Sequence, residues 1–305
     1  MLTFIGRRVL YAPLSILLVI LATFVILRMT GDPVDIYLDV NRTPEQVALL
    51  RQQLHLDQPL PVQFLIFLRD VIQGDFGRSL QFSSPALPVV ISRLGATLQL
   101  ACLSLILAIA VGILAGVACA VWVNRLPDFV MSSLAVAGQS IPSFWLGIML
   151  IEIFALDLGW LPTSGTGSWR HLILPALTLS TFLMPNFVLL TRTNMLEFVN
   201  EQFVVTARAK GLQEWKILWR HVLPNALNPV VSFLGLQIGR LLGGSIITET
   251  VFAWPGVGRL MIGSVFQRDV PVVVAAVFVV STAIILSNLL VDIVNSLIDP
   301  RIRLD

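Results

Sequence analysis

The chain has 305 residues, of which 56% are hydrophobic and only 12% charged, and its mean hydropathy is +0.86. A soluble core of this size cannot hide so much apolar surface, which excludes an ordinary soluble domain and makes lipid the expected solvent. The 20 basic and 18 acidic side chains nearly balance, which argues against a surface for nucleic acid or another polyanion.

Six apolar stretches are each long enough to cross a membrane as a helix. A crossing needs about 20 largely uncharged residues, because a helix rises 1.5 Å per residue through a hydrocarbon core about 30 Å thick. Apolar runs of this length without a period of two favour helices over a barrel. The predicted fold is an all-α integral membrane protein in which residues 1–305 form one domain. The predicted spans are residues 9–29, 96–123, 130–156, 171–192, 226–249 and 271–298.

Basic residues beside the spans predict the orientation. Short loops on the cytoplasmic side of a membrane carry an excess of Lys and Arg. With both termini inside, the cytoplasmic segments hold ten basic residues and the short external loops hold three. The ten are Arg7, Arg8, Arg125, Arg192, Arg208, Lys210, Lys216, Arg220, Arg301 and Arg303, and the three are Arg170, Arg259 and Arg268.

The long external loop, residues 30–95, is predicted to contain two amphipathic helices. Thr43 can cap the first, with Pro44 at its first position and Gln46 reaching back to the cap amide. The second opens at Pro61 and places apolar residues on one face as far as Ile72. Both are expected to lie on the outer surface of the bundle.

Polar residues and prolines inside the spans fit either a translocation path or a structural role within the bundle, where Ser and Thr satisfy the backbone beside kinks. Prolines 142, 175 and 185 are expected to bend the third and fourth spans. A charge at a span centre costs roughly 2.5–3.5 kcal/mol, so it rarely faces lipid and must meet water or a partner. The predicted path residues are Gln139, Ser140, Asn186, Gln237 and Arg240.

Glycines four residues apart predict close helix contacts in the second and fifth spans. The pairs are Gly112 with Gly116, and Gly235, Gly239 and Gly243 in series. The fifth-span series could pack within this chain, or face the pore or a partner permease.

The segment between the fourth and fifth spans, residues 197–224, is predicted to be a pair of short helices. Thr206 to Lys210 forms a small-residue helix ending at Gly211, and Gln213 to His221 forms a second helix closed by Leu223 and Pro224. Such a pair suits docking on another protein, or an amphipathic loop on the inner leaflet. We call residues 197–224 the coupling segment.

The motifs of the chain predict neither an ATP-hydrolysing site nor a metal site. A phosphate-cradling loop needs Gly-Lys followed by Ser or Thr, but the two lysines, Lys210 and Lys216, follow Ala209 and Trp215. The three histidines have no His or Cys partner at metal-ligand spacing. Cys102 and Cys119 lie in one apolar run, where thiols are inert. The chain is predicted not to be an enzyme.

The coupling segment resembles the loop that permeases of ATP-binding-cassette (ABC) importers present to their ATPase. That pattern is Glu-Ala-Ala, three residues, Gly, nine residues, then Ile-x-Leu-Pro. The matching positions are Ala207, Gly211, Leu223 and Pro224, and the departures are Val205, Thr206 and His221. The stretch 206–211 is similar to the variant in the dipeptide, oligopeptide and nickel permease branch.

Three further stretches resemble landmarks of the first permease subunit in that branch. They are Asp57 to Leu60 with Gly74 to Ser79, then Glu249 to Arg259, then Asp299 to Arg303. With the coupling segment these make four separated matches in the expected order, spread over nearly the whole chain.

The resemblance implies a type I importer permease forming half of the pathway for peptides or similar solutes, in the inner membrane of a bacterium. Its expected partners are a related second permease, two ATPase subunits that bind ATP and Mg²⁺, and an external binding protein. This chain itself is expected to bind no cofactor. Peptides, glutathione, nickel chelates and some sugars are carried in this branch. The alternative is a secondary transporter or channel without an ATPase. The residues implied to couple to the ATPase are Val205, Thr206, Ala207, Arg208, Ala209, Lys210, Gly211, Leu223 and Pro224.

Overall fold

The computed structural model describes residues 2–29, Val34 and 43–298. Within these ranges the chain forms helices joined by turns, with an isolated bridge between Arg78 and Pro85 and no strand. The predicted all-α fold is confirmed. In chain order the helices are α1 Leu2–Met29, α2 Pro44–Gln53, α3 Leu60–Gln73, α4 Ala86–Val121, α5 Leu126–Ser140, α6 Ser143–Leu150, α7 Arg170–Phe198, α8 Gln202–Ala209, α9 Glu214–Ile217, α10 Leu223–Val251, α11 Val257–Phe266 and α12 Val270–Ile298.

Four helical stretches in the described ranges are long and apolar enough to cross a membrane by themselves, and α5 with α6 would make a fifth span. α10 coincides with the predicted span 226–249 and has 29 residues, a length of roughly 43 Å at 1.5 Å per residue. The count of six spans stays a prediction. The four stretches are Leu10–Met29, Ala86–Val121, Arg170–Phe198 and Val270–Val291.

The chain divides into two compact units. Unit 1 comprises Met1–Leu94 and Leu260–Leu286, and unit 2 comprises Gly95–Arg259 and Ser287–Asp305. That the whole chain acts as one permease domain stays a prediction.

Unit 1 contains both predicted loop helices. The Thr43 amide donates to Gln46 Oε1 at 3.0 Å, and the Gln46 amide donates to Thr43 Oγ1 at 3.3 Å, so the predicted capping box is confirmed. Gly74 ends α3 at a φ of +77°, in the left-handed region that favours glycine. α3 packs on α1 through Phe24, whose ring lies 5.4 Å from that of Phe64.

In unit 2, the predicted glycine contact joins α4 to α7. A Cβ on Gly112 would lie 2.5 Å from Phe187 Cβ, and one on Gly116 would lie 2.6 Å from Thr191 Cβ. Both residue numbers rise by four from one contact to the next, so the two helices run parallel. This direction fits spans that alternate in orientation along the chain.

The predicted third span, 130–156, is broken rather than merely bent. α5 ends at Ser140, Ile141 is extended with a ψ of 126°, and α6 leaves at 104° to α5. The residue before a proline disfavours the helical region, and Pro142 follows Ile141 here. α6 then continues through a π-helical stretch, Ile151–Asp157. In contrast, α7 runs unbroken through Pro175 and Pro185.

The second helix of the coupling segment does not close at Leu223 and Pro224, and that prediction was wrong. α9 continues through a π-helical stretch, Leu218–Val222, directly into α10. The Leu223 amide donates to Leu218 O, five residues back. This wider spacing accommodates the missing N–H of Pro224 in the first turn of α10.

Candidate functional site

The coupling segment is fixed to unit 2 through one buried apolar cluster, which we call the anchor cluster. It joins α8 and the α9 to α10 region to the ends of α4 and α7. Its members are Val117, Met195, Val204, Ala207, Ile217, Val222, Leu223 and Ala226. In addition, Asn194 Nδ2 donates to Ala226 O at 3.2 Å, which ties α7 to α10. The short helices are therefore packed firmly against the ends of the long helices.

The opposite face of the coupling segment is open. Of the predicted coupling residues, only Ala207 and Leu223 are buried, both in the anchor cluster. Val205 is 56% exposed, and Trp215 in α9 is 59% exposed. The other predicted coupling residues are also exposed: Thr206, Arg208, Ala209, Lys210, Gly211 and Pro224.

Gly211 terminates the first short helix as predicted. Its φ is +75°, and a Cβ built there would have no atom within 4 Å. Arg208 Nε donates to Glu214 Oε1 at 2.7 Å, across the turn. This hydrogen bond raises the pKa of the Arg208 guanidinium above its ordinary value. The ion pair closes the turn between α8 and α9 without crowding Gly211.

The predicted path residues are not all gathered at one surface. Gln139 and Ser140 are exposed at the end of α5, next to the break, and Asn186 on α7 is half-buried. Gln237 is only 1% exposed, so in this conformation it faces the interior of unit 2 rather than an open path. The side chain of Arg240 lies outside those the structure describes.

A buried carboxylate near the end of α10 organises a site that the sequence analysis missed. Glu249 is fully buried, and its Oε1 accepts from Thr97 Oγ1 at 2.8 Å and from Ser245 Oγ at 3.1 Å. Its Oε2 accepts from the Arg259 amide at 3.1 Å. Thr97 also accepts from the Val257 amide at 2.8 Å. The carboxylate thereby holds the turn between α10 and α11 against α4.

The glycines of this turn make room for that carboxylate. A Cβ on Gly256 would lie 2.3 Å from Glu249 Cδ, and one on Gly258 would lie 2.7 Å from Ile246 Cα. Gly256 and Gly258 follow Glu249 closely in the sequence, and this spacing is the signal by which the sequence could have indicated the contact between the turn and the carboxylate.

A second missed contact joins α5 and α7. Arg192 Nε and Nη2 donate to the two carboxylate oxygens of Asp128 at 2.7 and 2.8 Å. The Asn124 amide donates to Asp128 Oδ2 at 3.0 Å, and Ser132 Oγ donates to Oδ1 at 3.3 Å. Asp128 is 4% exposed, so this is a buried, fully bonded carboxylate.

In unit 1, Asp269 ties the segment that follows Gly77 to the start of α12. Ser79 Oγ donates to Asp269 Oδ2 in a short hydrogen bond, and the Gln81 amide donates to the same oxygen at 3.2 Å. The Phe82 amide donates to Ser79 Oγ at 2.9 Å. One side chain thus fixes the turn that follows Gly77.

Long apolar helices, a break in one of them and short helices packed against their ends are features of a multi-pass membrane protein. The sequence matches the family described as "Binding-protein-dependent transport system inner membrane component" over residues 108–304, and the N-terminal component of the same kind over residues 1–101. The chain belongs to this family. It is a permease subunit of an ABC importer, a multi-pass protein of a bacterial inner membrane, and not an enzyme.

Relatives match along almost the entire chain. It is 44% identical over 304 residues to the glutathione transport system permease protein GsiC of Salmonella choleraesuis (strain SC-B67), and 42% identical to GsiC of Escherichia coli (strain K12). Each match covers 99% of both chains.

Solved structures share the fold. The inward-facing MetNI methionine ABC transporter, in its CY5 native crystal form, superposes with a TM-score of 0.56 at 18% identity. Its selenomethionine-soaked form gives 0.57 at 19%. Each covers 69% of this chain and 96% of the other.

Proposed function

We propose that this permease imports glutathione or a peptide of similar size and forms half of the translocation path beside a related second permease. The observation that supports glutathione as the solute is the 44% identity, across 99% of both chains, to a glutathione permease. An external binding protein would deliver the solute to the long loop, and Gln139, Ser140 and Asn186 would line the path near the break in the third span.

Two ABC ATPases would dock on the cytoplasmic helices of the permease pair, which in this chain are the coupling segment. The anchor cluster supports this role, because it leaves Val205, Arg208, Gly211 and Trp215 exposed while fixing the helices that carry them. ATP and Mg²⁺ would bind to the ATPases and no cofactor to this chain. Both termini would face the cytoplasm, on the same side as the coupling segment. Docking would move the segment and the long helices together.

Substituting Gly211 tests the docking surface. The complete transporter, with both permeases, both ATPase subunits and the binding protein, is reconstituted in proteoliposomes, and uptake of labelled glutathione is measured with and without enclosed ATP. Uptake should require ATP. Gly211→Phe should lower ATPase co-purification and uptake by about 10-fold or more, since a loss of 1.4 kcal/mol in docking is a factor of 10. A Cβ built at Gly211 meets no atom of the described residues within 4 Å, so a loss beyond that caused by backbone strain would report the partner contact.

Gly159→Phe is the matched control. Gly159 has a φ of +62° and, like Gly211, no atom within 4 Å of a built Cβ, so both substitutions impose similar backbone strain. If Gly211→Phe retained its ATPases as well as Gly159→Phe does, the docking role would be wrong. Uptake without ATP would favour a secondary transporter, and ATP-driven uptake of another solute would refute only the glutathione assignment.

A further inference from the structure

The ion pair between Asp128 and Arg192 has more hydrogen bonds than an ordinary surface ion pair. Arg192 Nε and Nη2 each donate to one carboxylate oxygen of Asp128. The Asn124 backbone amide and Ser132 Oγ supply two further donors. The Asp128 side chain is 6% exposed and that of Arg192 is 26% exposed, so the loss of hydration offsets part of the attraction between the charges. The pair's fixed bidentate geometry, however, sets the relative position of the two helices that carry it.

The pair fixes one end of α5 on α7, and a close contact fixes the other end. A Cβ on Gly138 would lie 3.2 Å from Thr181 Cγ2. Asp128 precedes Gly138 by ten residues, and Arg192 follows Thr181 by eleven, so the two helices are antiparallel and in register over roughly 15 Å. α5 therefore cannot slide along α7 without breaking the bidentate contact.

The two ends of this helix pair lie at different parts of the proposed machinery. Arg192 is one turn before Met195, which belongs to the anchor cluster with Val204 and Ala207 of the coupling segment. The other end of α5 carries Ser140, next to the break before α6. A continuous line of packed contacts thus runs from the short helices, through the ion pair, to the break in the third span.

We propose that Asp128 and Arg192 are positioning residues that transmit movement of the coupling segment to α5, so that the path opens and closes at the break. This inference rests on the proposed coupling function. The pair lies at the end of α5 that is farther from the break, and its loss should separate ATP hydrolysis from solute movement rather than stop hydrolysis.

The test compares uptake per ATP hydrolysed in proteoliposomes containing the complete transporter. In the double variant Asp128→Asn with Arg192→Gln, both charges are removed, so no lone charge remains buried. We expect this variant to assemble and hydrolyse ATP, while uptake per ATP falls by about 5-fold or more. Arg125→Gln, which removes an exposed cation three residues from Asp128, should leave the ratio unchanged.

A purely structural pair predicts a different result, in which the amount of transporter, its hydrolysis and its uptake fall together while their ratio stays constant. That result would overturn the inference. Arg192→Lys supplies a second test, since it keeps the charge but cannot form the fork, and a ratio equal to that of the parent would likewise overturn it. Because Gly211→Phe separately reports ATPase docking, the coupling function could hold while this inference fails.

Discussion

Replacing Gly256 with alanine should destabilise unit 2 because the new methyl group enters the space of the Glu249 carboxylate. The built Cβ lies 2.3 Å from Glu249 Cδ and 2.4 Å from each carboxylate oxygen. Carbon atoms at optimal contact are about 3.5–4.0 Å apart, so the turn or the carboxylate must move by more than about 1 Å. Gly256 does not adopt a positive φ, so the substitution introduces a clash and no left-handed strain.

The size of the effect follows from the hydrogen bonds that this movement disrupts. Thr97, Ser245 and the Arg259 amide all donate to the carboxylate. A hydrogen bond to a charged group contributes about 1.5–3 kcal/mol, so losing two of them costs roughly 3–6 kcal/mol. By contrast, a Cβ on Gly263 in α11 meets no atom within 4 Å, and Gly263→Ala should stabilise its helix by about 0.5–1 kcal/mol.

Thermal unfolding of the purified transporter in detergent measures this difference. At about 2–4 °C per kcal/mol, Gly256→Ala should lower Tm by roughly 6 °C or more, while Gly263→Ala should not lower it. Gly256→Ala should cost much less in a Glu249→Ala background, where the obstructing carboxylate is absent. Equal Tm values for Gly256→Ala and the parent would refute this account of the site.

Two further substitutions probe contacts within each unit. Gly116→Leu should prevent folding or lower Tm by roughly 6 °C or more, because even its Cβ would lie 2.6 Å from Thr191 Cβ and 2.7 Å from Val188 O. The amount of protein in the membrane and thermal unfolding of the purified transporter measure this effect. Ser79→Ala removes the donor to the buried Asp269 and should cost about 1–3 kcal/mol, seen as faster limited proteolysis of the loop after Gly77 in unit 1.

Local features were predictable from the sequence because neighbouring residues determine them. The capping box at Thr43 needs only residues three positions apart, and the end of α8 needs only a glycine that tolerates a positive φ. The seam of Gly112 and Gly116 was also predictable as a contact, because small residues are what allow membrane helices to approach. Its partner α7 was not predictable, since spacing within one helix does not identify the other.

The contacts that organise the candidate site join residues far apart in the chain. Thr97 and Glu249 are separated by 152 positions and Asp128 and Arg192 by 64, and one sequence contains no signal for such pairings. The π-helical stretch before Pro224 was missed for a different reason. A proline normally marks a helix boundary, and only a shift of hydrogen-bond spacing lets the helix continue.

The glycine contact between α4 and α7 limits where this molecule can flex. Where side chains interlock, a shift can be absorbed by changing rotamers, but at Gly112 and Gly116 backbone lies directly against the neighbouring helix and no rotamer is available. α4 and α7 are therefore expected to move together where these glycines join them. Bending within unit 2 is then expected away from this contact, at the break formed by Ile141 and Pro142.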